Sequence, residues 1–249
     1  MTKKDFQFPS EEVKLPSKGL LFPKNSALSN GFIEMKYMTA KEEDILTNQN
    51  FIENGTVIDR LLESLIITDF DYNDLLIGDK NALLVAARIL GYGSDYDFMF
   101  RGEKISIDLS KIEDKELDES LVVDRKNEFN FELPTSKIPI TFKFLTHKDE
   151  KNIDAEIKSY KKINKNVSIE GSTRLKNMIT SIDGNREIQF IRDFVDQKFL
   201  ARDSRAFRNY YEEIQPSTDL TYSYEDRRGN ITKIDIPVGI KFFWPDVTI

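Results

Sequence analysis

KNALLVAARIL, residues 80–90, is the stretch on which the reading of the fold turns. Ala82, Leu83, Leu84, Val85, Ala86, Ala87, Ile89 and Leu90 place apolar side chains on nearly every face of an α-helix. A helix that is apolar all round is buried rather than laid on a surface. Asp79 precedes it and Gly91 follows, the kind of residues that open and stop helices. The stretch therefore predicts a central helix, with Leu83 and Ile89 in the core and other elements packed around it. Arg88 is the one charge in its interior. A buried cation is costly unless paired, so Arg88 is expected in a structural ion pair or, failing that, at a contact with a partner protein.

Upstream, Thr39-Ala-Lys-Glu42 and Thr56-Val-Ile-Asp59 both read as capping boxes, in which a hydroxyl and a carboxylate each satisfy a free backbone amide. Ile58, Leu61, Leu62, Leu65 and Ile66 then recur at helical spacing. Before these, Gly31–Tyr37 reads as a strand, and VKLPSKGLLFP (residues 13–23), punctuated by Pro16, Gly19 and Pro23, as an extended arm. Leu15, Leu20, Leu21 and Phe22 on that arm are candidates for partner contact.

Downstream, FMFRGEKISIDL (residues 98–109) reads as a hairpin around Arg101-Gly102-Glu103, and the heavily charged residues 111–128 as a solvated connection. Phe129–Leu133 and Ile138–Leu145 read as strands, with Pro139 marking the second as an edge strand or its start. Thr146-His-Lys-Asp149 is a further capping box. It is followed by helical stripes at Ile153, Ile157 and Tyr160, at Leu175, Met178, Ile179 and Ile182, at Ile188, Ile191 and Val195, and at Phe207, Tyr210, Tyr211 and Ile214. Leu220–Tyr224 and Asn230–Ile236 read as a closing hairpin. The fold class is α+β: an N-terminal helical cluster, small antiparallel sheets and hairpins, C-terminal helices and a final hairpin. The expected divisions are residues 1–37 (arm and first strand), 38–110 (helical cluster and hairpin), 111–128 (connection) and 129–249 (the remainder), with 129–249 alternatively continuous with 38–110.

The closing KFFWPDVTI (residues 241–249) holds the only tryptophan. Ile234, Ile236, Val238, Ile240, Phe242 and Trp244 alternate with Asp235, Pro237, Gly239, Lys241 and Phe243. Read as an extended chain, period two puts Phe242 and Trp244 into the core. Phe243 then faces the other way, as a candidate for partner contact.

The chain has no cysteine, which excludes disulfides and thiolate metal sites and fits a reducing cytosol. No signal-peptide core and no apolar run of membrane-spanning length is present. From Gly171 onward twelve Lys or Arg balance twelve Asp or Glu, so the net charge of −7 lies wholly in residues 1–170. No basic patch rises above that background, which argues for protein partners and against nucleic acid or membrane.

No phosphate-binding loop, dinucleotide fingerprint, zinc-protease helix or serine-hydrolase elbow occurs, so no catalytic residue, cofactor or metal is expected. His147, the only histidine, is read as a solvated residue at a helix start. Asp69-Phe-Asp71-Tyr-Asn73-Asp74 begins like a calcium loop, but Asp74 stands where the turn needs glycine and Lys80 where it needs the last glutamate. Glu42, Glu43 and Asp44 fan out along a helix start rather than converge. Arg202, Arg205 and Arg208, interleaved with Asp203, Glu212 and Glu213, read as a salt-bridged solvent face. A hydrolase using Asp69, Asp71 or Asp95 is the remote alternative, since no spacing singles out a pair of acids.

LPSKGLLFP (15–23), MTAKEEDILTN (38–48), NGTVIDRLL (54–62), LLIGDKNALLVAARILGYG (75–93) and FFWP (242–245) together resemble the T-even bacteriophage baseplate hub proteins. Order and spacing carry the resemblance, which spans nearly the whole chain. The family covers a structural hub component and a hub assembly protein, often called an assembly catalyst or chaperone, and length favours the assembly protein. The resemblance implies a non-catalytic factor in the host cell cytoplasm whose partners are baseplate hub proteins of the same phage, with self-association left open. The alternative it allows is a stoichiometric component of the hub. Many relatives carry cysteine pairs near the two hairpins, suggestive of zinc knuckles. Here FMFRGEKISIDL and TYSYEDRRGNITKID have none, so packing is expected to take the place of a metal.

Overall fold

The computed structural model describes residues 9–164, 168–226 and 228–243. It is an α+β fold in which small antiparallel sheets of two or three strands are arranged around helices. Strand β1 (Ser10–Lys14) pairs with β2 (Phe32–Lys36), in register from Ser10 opposite Lys36 to Lys14 opposite Phe32. Helices α1 (Ala40–Leu46), α2 (Gln49–Asn54) and α3 (Val57–Leu65) follow, and then the central helix α4 (Ile77–Tyr92).

Leu83 is fully buried on α4, and Ile89 packs half-buried against the same core. The helix is longer at both ends than its sequence boundaries suggest. At its start Gly78 lies under the chain at Pro216: a Cβ there would sit 1.8 Å from the Pro216 carbonyl oxygen, so the first turn accepts only glycine. At its end Gly91 stays helical against Met38, and Gly93, at φ +82°, turns the chain out.

Strands β3 (Asp95–Phe100) and β4 (Glu103–Asp108) form the expected hairpin. Arg101 and Gly102 both have positive φ (50° and 82°), the backbone of the tight hairpin turn that matches strand twist. The charged segment that follows is structured rather than a loose connection. Its strand β5 (Asp114–Lys115) pairs with β9 (Ser217–Thr218), and Leu117 is buried with its N–H on the Pro16 carbonyl at 2.9 Å.

The second half is built on β6 (Phe129–Glu132), β7 (Pro139–Phe142) and β8 (Ile179–Ile182), in that order. So β7 is the central strand, and Pro139 is accommodated as its first residue. Strand β8 was hidden in the sequence because Leu175, Met178, Ile179 and Ile182 also fit one helical stripe. The helix stops at Met178, and Ile179-Thr-Ser-Ile182, β-branched at all but Ser181, continues as a strand. Thr141 Oγ1 lies 2.7 Å from both Thr180 Oγ1 and Ser181 Oγ across that pairing. Helices α5 (His147–Ile163), α6 (Glu170–Met178), α7 (Ile188–Gln197) and α8 (Ala201–Ile214) cover this half. Phe142 packs against Phe129, Phe207, Tyr210 and Tyr211.

The closing hairpin is β10 (Thr221–Glu225) with β11 (Ile231–Asp235). It meets the β3–β4 hairpin through Phe98 on Tyr222, Phe100 on Tyr224, and Tyr224 Oη on Glu103 at 2.7 Å. After β11 the chain does not stay extended. It forms a single helical turn, α9 (Ile240–Phe243), in which Phe242 and Phe243 are both fully buried with their rings 5.1 Å apart. Helical neighbours are about 100° apart rather than opposite, so Phe243 joins Phe242 in the core and is not a surface residue. Pro237 and Gly239 end the alternation: the Pro237 carbonyl accepts from Tyr96 Oη at 3.0 Å, and the Gly239 carbonyl accepts the N–H of Phe242. Trp244 lies outside the described residues.

Candidate functional site

The arm folds back on itself. Residues 15–31 form the loop between β1 and β2, closed by the Leu15 N–H on the Gly31 carbonyl at 2.9 Å. Leu15, Leu21 and Phe22 are buried, and Leu20 packs half-buried against the core, so these four are not free apolar contacts on an extended arm. The physical reason is a set of polar contacts that stitch the loop down. Ser17 donates its N–H to Asp79 Oδ1 at 2.9 Å and its hydroxyl to Oδ2 at 2.7 Å. Arg125 donates to the carbonyls of Gly19, Phe22 and Ser29 at 2.7, 3.0 and 3.3 Å. Gly19, at φ +69°, sits where a Cβ would meet the Leu28 carbonyl at 2.5 Å.

Asp79 is wholly buried at the start of α4, and burial, only partly opposed by the Ser17 hydrogen bonds, pushes its carboxyl up to about 7. Glu42, also fully buried, behaves oppositely: burial acts to raise it, but hydrogen bonds from Lys36, Thr39 and Ser64 outweigh that and bring it down to about 2. In the first capping box that carboxylate accepts from the Thr39 N–H at 2.9 Å and hydroxyl at 2.6 Å. The second box does not form: Thr56 makes no side-chain cap, and Asp59 turns to Lys80 and Tyr72 instead.

Arg88 is buried, and the groups it meets are backbone carbonyls and aromatic rings rather than the carboxylate of an ion pair. Its guanidinium donates to the carbonyls of Gly93 and Asp95, both at 2.8 Å, and lies over the rings of Tyr92 and Tyr96. It closes the helix end against β3, where backbone carbonyls and aromatic faces replace the expected ion pair.

His147 is buried rather than solvated. Its ring meets Tyr72 edge-on at 4.6 Å, and its Nδ1, without a hydrogen bond, lies 3.9 Å from Asp59 Oδ1. Burial holds its pKa below the ordinary value, so the ring is neutral near pH 7. Lys80 occupies the Asp59 carboxylate, and no group of three or more His, Cys, Asp or Glu able to hold a metal ion occurs among the described residues.

What the arm loop does form is one wall of a groove of about 580 Å³. Leu21, Phe22, Pro23 and Ala27 line it from the loop, Asp69, Phe70, Asp71 and Asp74 from the acidic turn, and Leu76, Asn127 and Thr146 complete it. Asp71 is engaged in its own turn, accepting from the N–H and side-chain amide of Asn73 at 2.9 Å. Asp95 is exposed on β3, opposite Asp108, and is not part of the groove. Two of the candidate partner residues thus reappear as groove walls. Ser17, Asp79 and Arg125, which shape the loop, were invisible as a set because their partners lie 62 and about a hundred residues away.

On α8, Arg202, Arg205 and Arg208 are exposed as read, but no acid among the described residues pairs with them. Asp203 turns inward, accepting the N–H groups of Thr135 and Ser136 at 2.7 and 3.1 Å. No helix among the described residues is long and apolar enough to cross a membrane. No protein-family model, no curated protein and no solved structure matches the chain.

Proposed function

We propose that this protein is a non-catalytic assembly factor for the baseplate hub of a T-even type bacteriophage, binding hub proteins in the cytoplasm of the infected cell. The observation that supports the reading is spatial. The stretches that resemble the hub family meet one another around α4. Ser17 of the first bonds Asp79 of the fourth, Glu43 of the second accepts from Tyr92 of the fourth, and Asp59 of the third pairs with Lys80. Phe242 of the last packs on Tyr96, just beyond α4. Their order in the chain is thus the order of parts in one folded unit.

Such a factor works by binding an assembly-competent conformation of its client more tightly than the others, and needs no bond-making group. Infection with phage lacking the protein tests the reading: hub subunits are made and hubs fail to form. Normal hub yield overturns it. Mass spectrometry of purified virions separates an assembly factor, absent from the particle, from a stoichiometric hub component.

A further inference from the structure

The groove beside the arm loop has a floor of one chemistry and a rim of another. Pro23, Ala27 and Phe70 present its accessible apolar surface over the buried Leu21, Phe22 and Leu76, whereas Asp69, Asp71 and Asp74 are exposed carboxylates, and no Lys or Arg among the described residues lines it. Asp69 and Asp74 have no ion-pair partner among the described residues. Elsewhere in this half Asp59, Glu42, Glu116 and Glu119 are each met by a lysine. We propose that the groove takes a short segment of a partner protein in which a Leu or Phe anchor is flanked by Lys or Arg. This rests on the protein-binding reading of the molecule.

Three observations select that occupant. The rim carboxylates favour cations and repel an acidic segment or a phosphate backbone. At the two helix starts that border the groove, the leading N–H groups already have acceptors within the chain. The Ile77 N–H is on the Leu145 carbonyl at 3.0 Å, the His147 N–H on the Leu75 carbonyl at 2.8 Å, and the Thr146 N–H on Asp149 at 3.0 Å. Finally, the loop wall is held by the chain's own Asp79 and Arg125, so little ordering is required on binding.

Fluorescence anisotropy with the full-length protein tests the proposal, using a labelled short peptide that carries Phe between lysines. Controls are the same peptide with Glu for Lys and a lysine peptide without Phe. The first should bind, the controls should not, and added salt should weaken it. Asp69→Asn with Asp74→Asn, both at exposed positions, should weaken binding by roughly three- to tenfold. Ala27→Phe, which fills the groove from its loop side, should abolish it. Equal binding of the basic and acidic peptides, or binding unchanged in both variants, overturns the proposal. So does salt-sensitive self-association through Arg202, Arg205 and Arg208 with no peptide binding.

The hub reading stands or falls separately. Suppose loss of the protein stops hub assembly while the purified chain ignores the basic peptide: the groove inference alone falls. If the peptide binds as described but hubs form without the protein, the hub reading falls and the groove remains.

Discussion

The two halves of the molecule are held together by different chemistry. Around α4, polar contacts supplement the apolar core in joining parts distant in sequence: Ser17 on Asp79, Ser64 on Glu42, and Arg125 on three loop carbonyls. Around the β6–β7–β8 sheet the joining contacts are aromatic, with Phe142, Phe207 and Tyr211 in mutual contact. The difference follows from what each half has to bury. The first half folds down an irregular loop, whose backbone groups have no sheet to pair with, so side chains must answer them. The second lays α8 on a sheet whose backbone is already satisfied, and has chiefly apolar surface to cover. The first half should therefore be sensitive to protonation and hydrogen-bond geometry, and the second to volume.

The largest expected effect is in the aromatic half. Phe207 is fully buried against Phe131, Phe142, Phe199 and Tyr211. Phe207→Ala should cost about 3–5 kcal/mol, measured by urea unfolding. The loss should be the same at pH 5 and pH 8, because the Phe207 ring itself meets only Phe131, Phe142, Phe199 and Tyr211 among the described aromatic residues, and burial holds Tyr211 neutral. A loss below about 1 kcal/mol, or one that varies with pH, would break the contrast.

Next come the two buried carboxylates of the first half, which titrate in opposite directions. Asp79, near 7 in the fold against an ordinary 3.8, keeps its proton where the unfolded chain has lost it. Its protonated form therefore favours the fold most below about pH 4, and stability declines as pH rises towards 7. Glu42, near 2 against 4.5, contributes stability above about pH 4.5 that is lost as pH falls towards 2. Asp79→Asn should flatten the first slope and Glu42→Gln the second, read from urea midpoints across pH. Asp79→Ala, which leaves the Ser17 N–H buried without an acceptor, should cost about 1–3 kcal/mol. If Asp79→Asn leaves the slope between pH 4 and 7 intact, another group carries it.

This contrast also explains what could be read from the sequence. Local signals survived folding. The α4 stripe, the turn at Arg101-Gly102 and the cap at Thr146 all depend on residues within one turn of each other. What escaped depended on distant partners. The charged run before β6 hid Leu117 and Arg125, whose roles appear only when the arm loop lies over them. Strand β8 hid inside a helical period, and Phe243 changed sides because a single helical turn replaced an extended tail. The groove was half legible. Its acidic turn was read as a loop and its apolar wall as a partner contact, but residues 21–27 and 69–74 meet through partners distant in sequence, β2 against Ile66–Thr68 and Ser17 on Asp79, which no local pattern announces.

The smallest effect sharpens the comparison within the helices themselves. Thr146 and Thr56 begin the same sequence device, and only Thr146 completes it: its hydroxyl accepts the Asp149 N–H at 3.3 Å, and Asp149 accepts the Thr146 N–H at 3.0 Å. Thr146→Ala should cost about 1 kcal/mol, and Thr56→Ala less than about 0.5 kcal/mol, measured in parallel by thermal unfolding. Equal losses would mean that Thr56 caps in solution. Competition accounts for the difference, since Asp59 is drawn from its helix start to Lys80 on α4. Removing the competitor should therefore restore the device. In a Lys80→Ala background Asp59 is free to turn back, and Thr56→Ala should then cost about 0.5 kcal/mol more than it does alone. Strict additivity of the two substitutions would show that the backbone at Thr56, at φ −108° and ψ 0°, rather than Lys80, keeps the cap open.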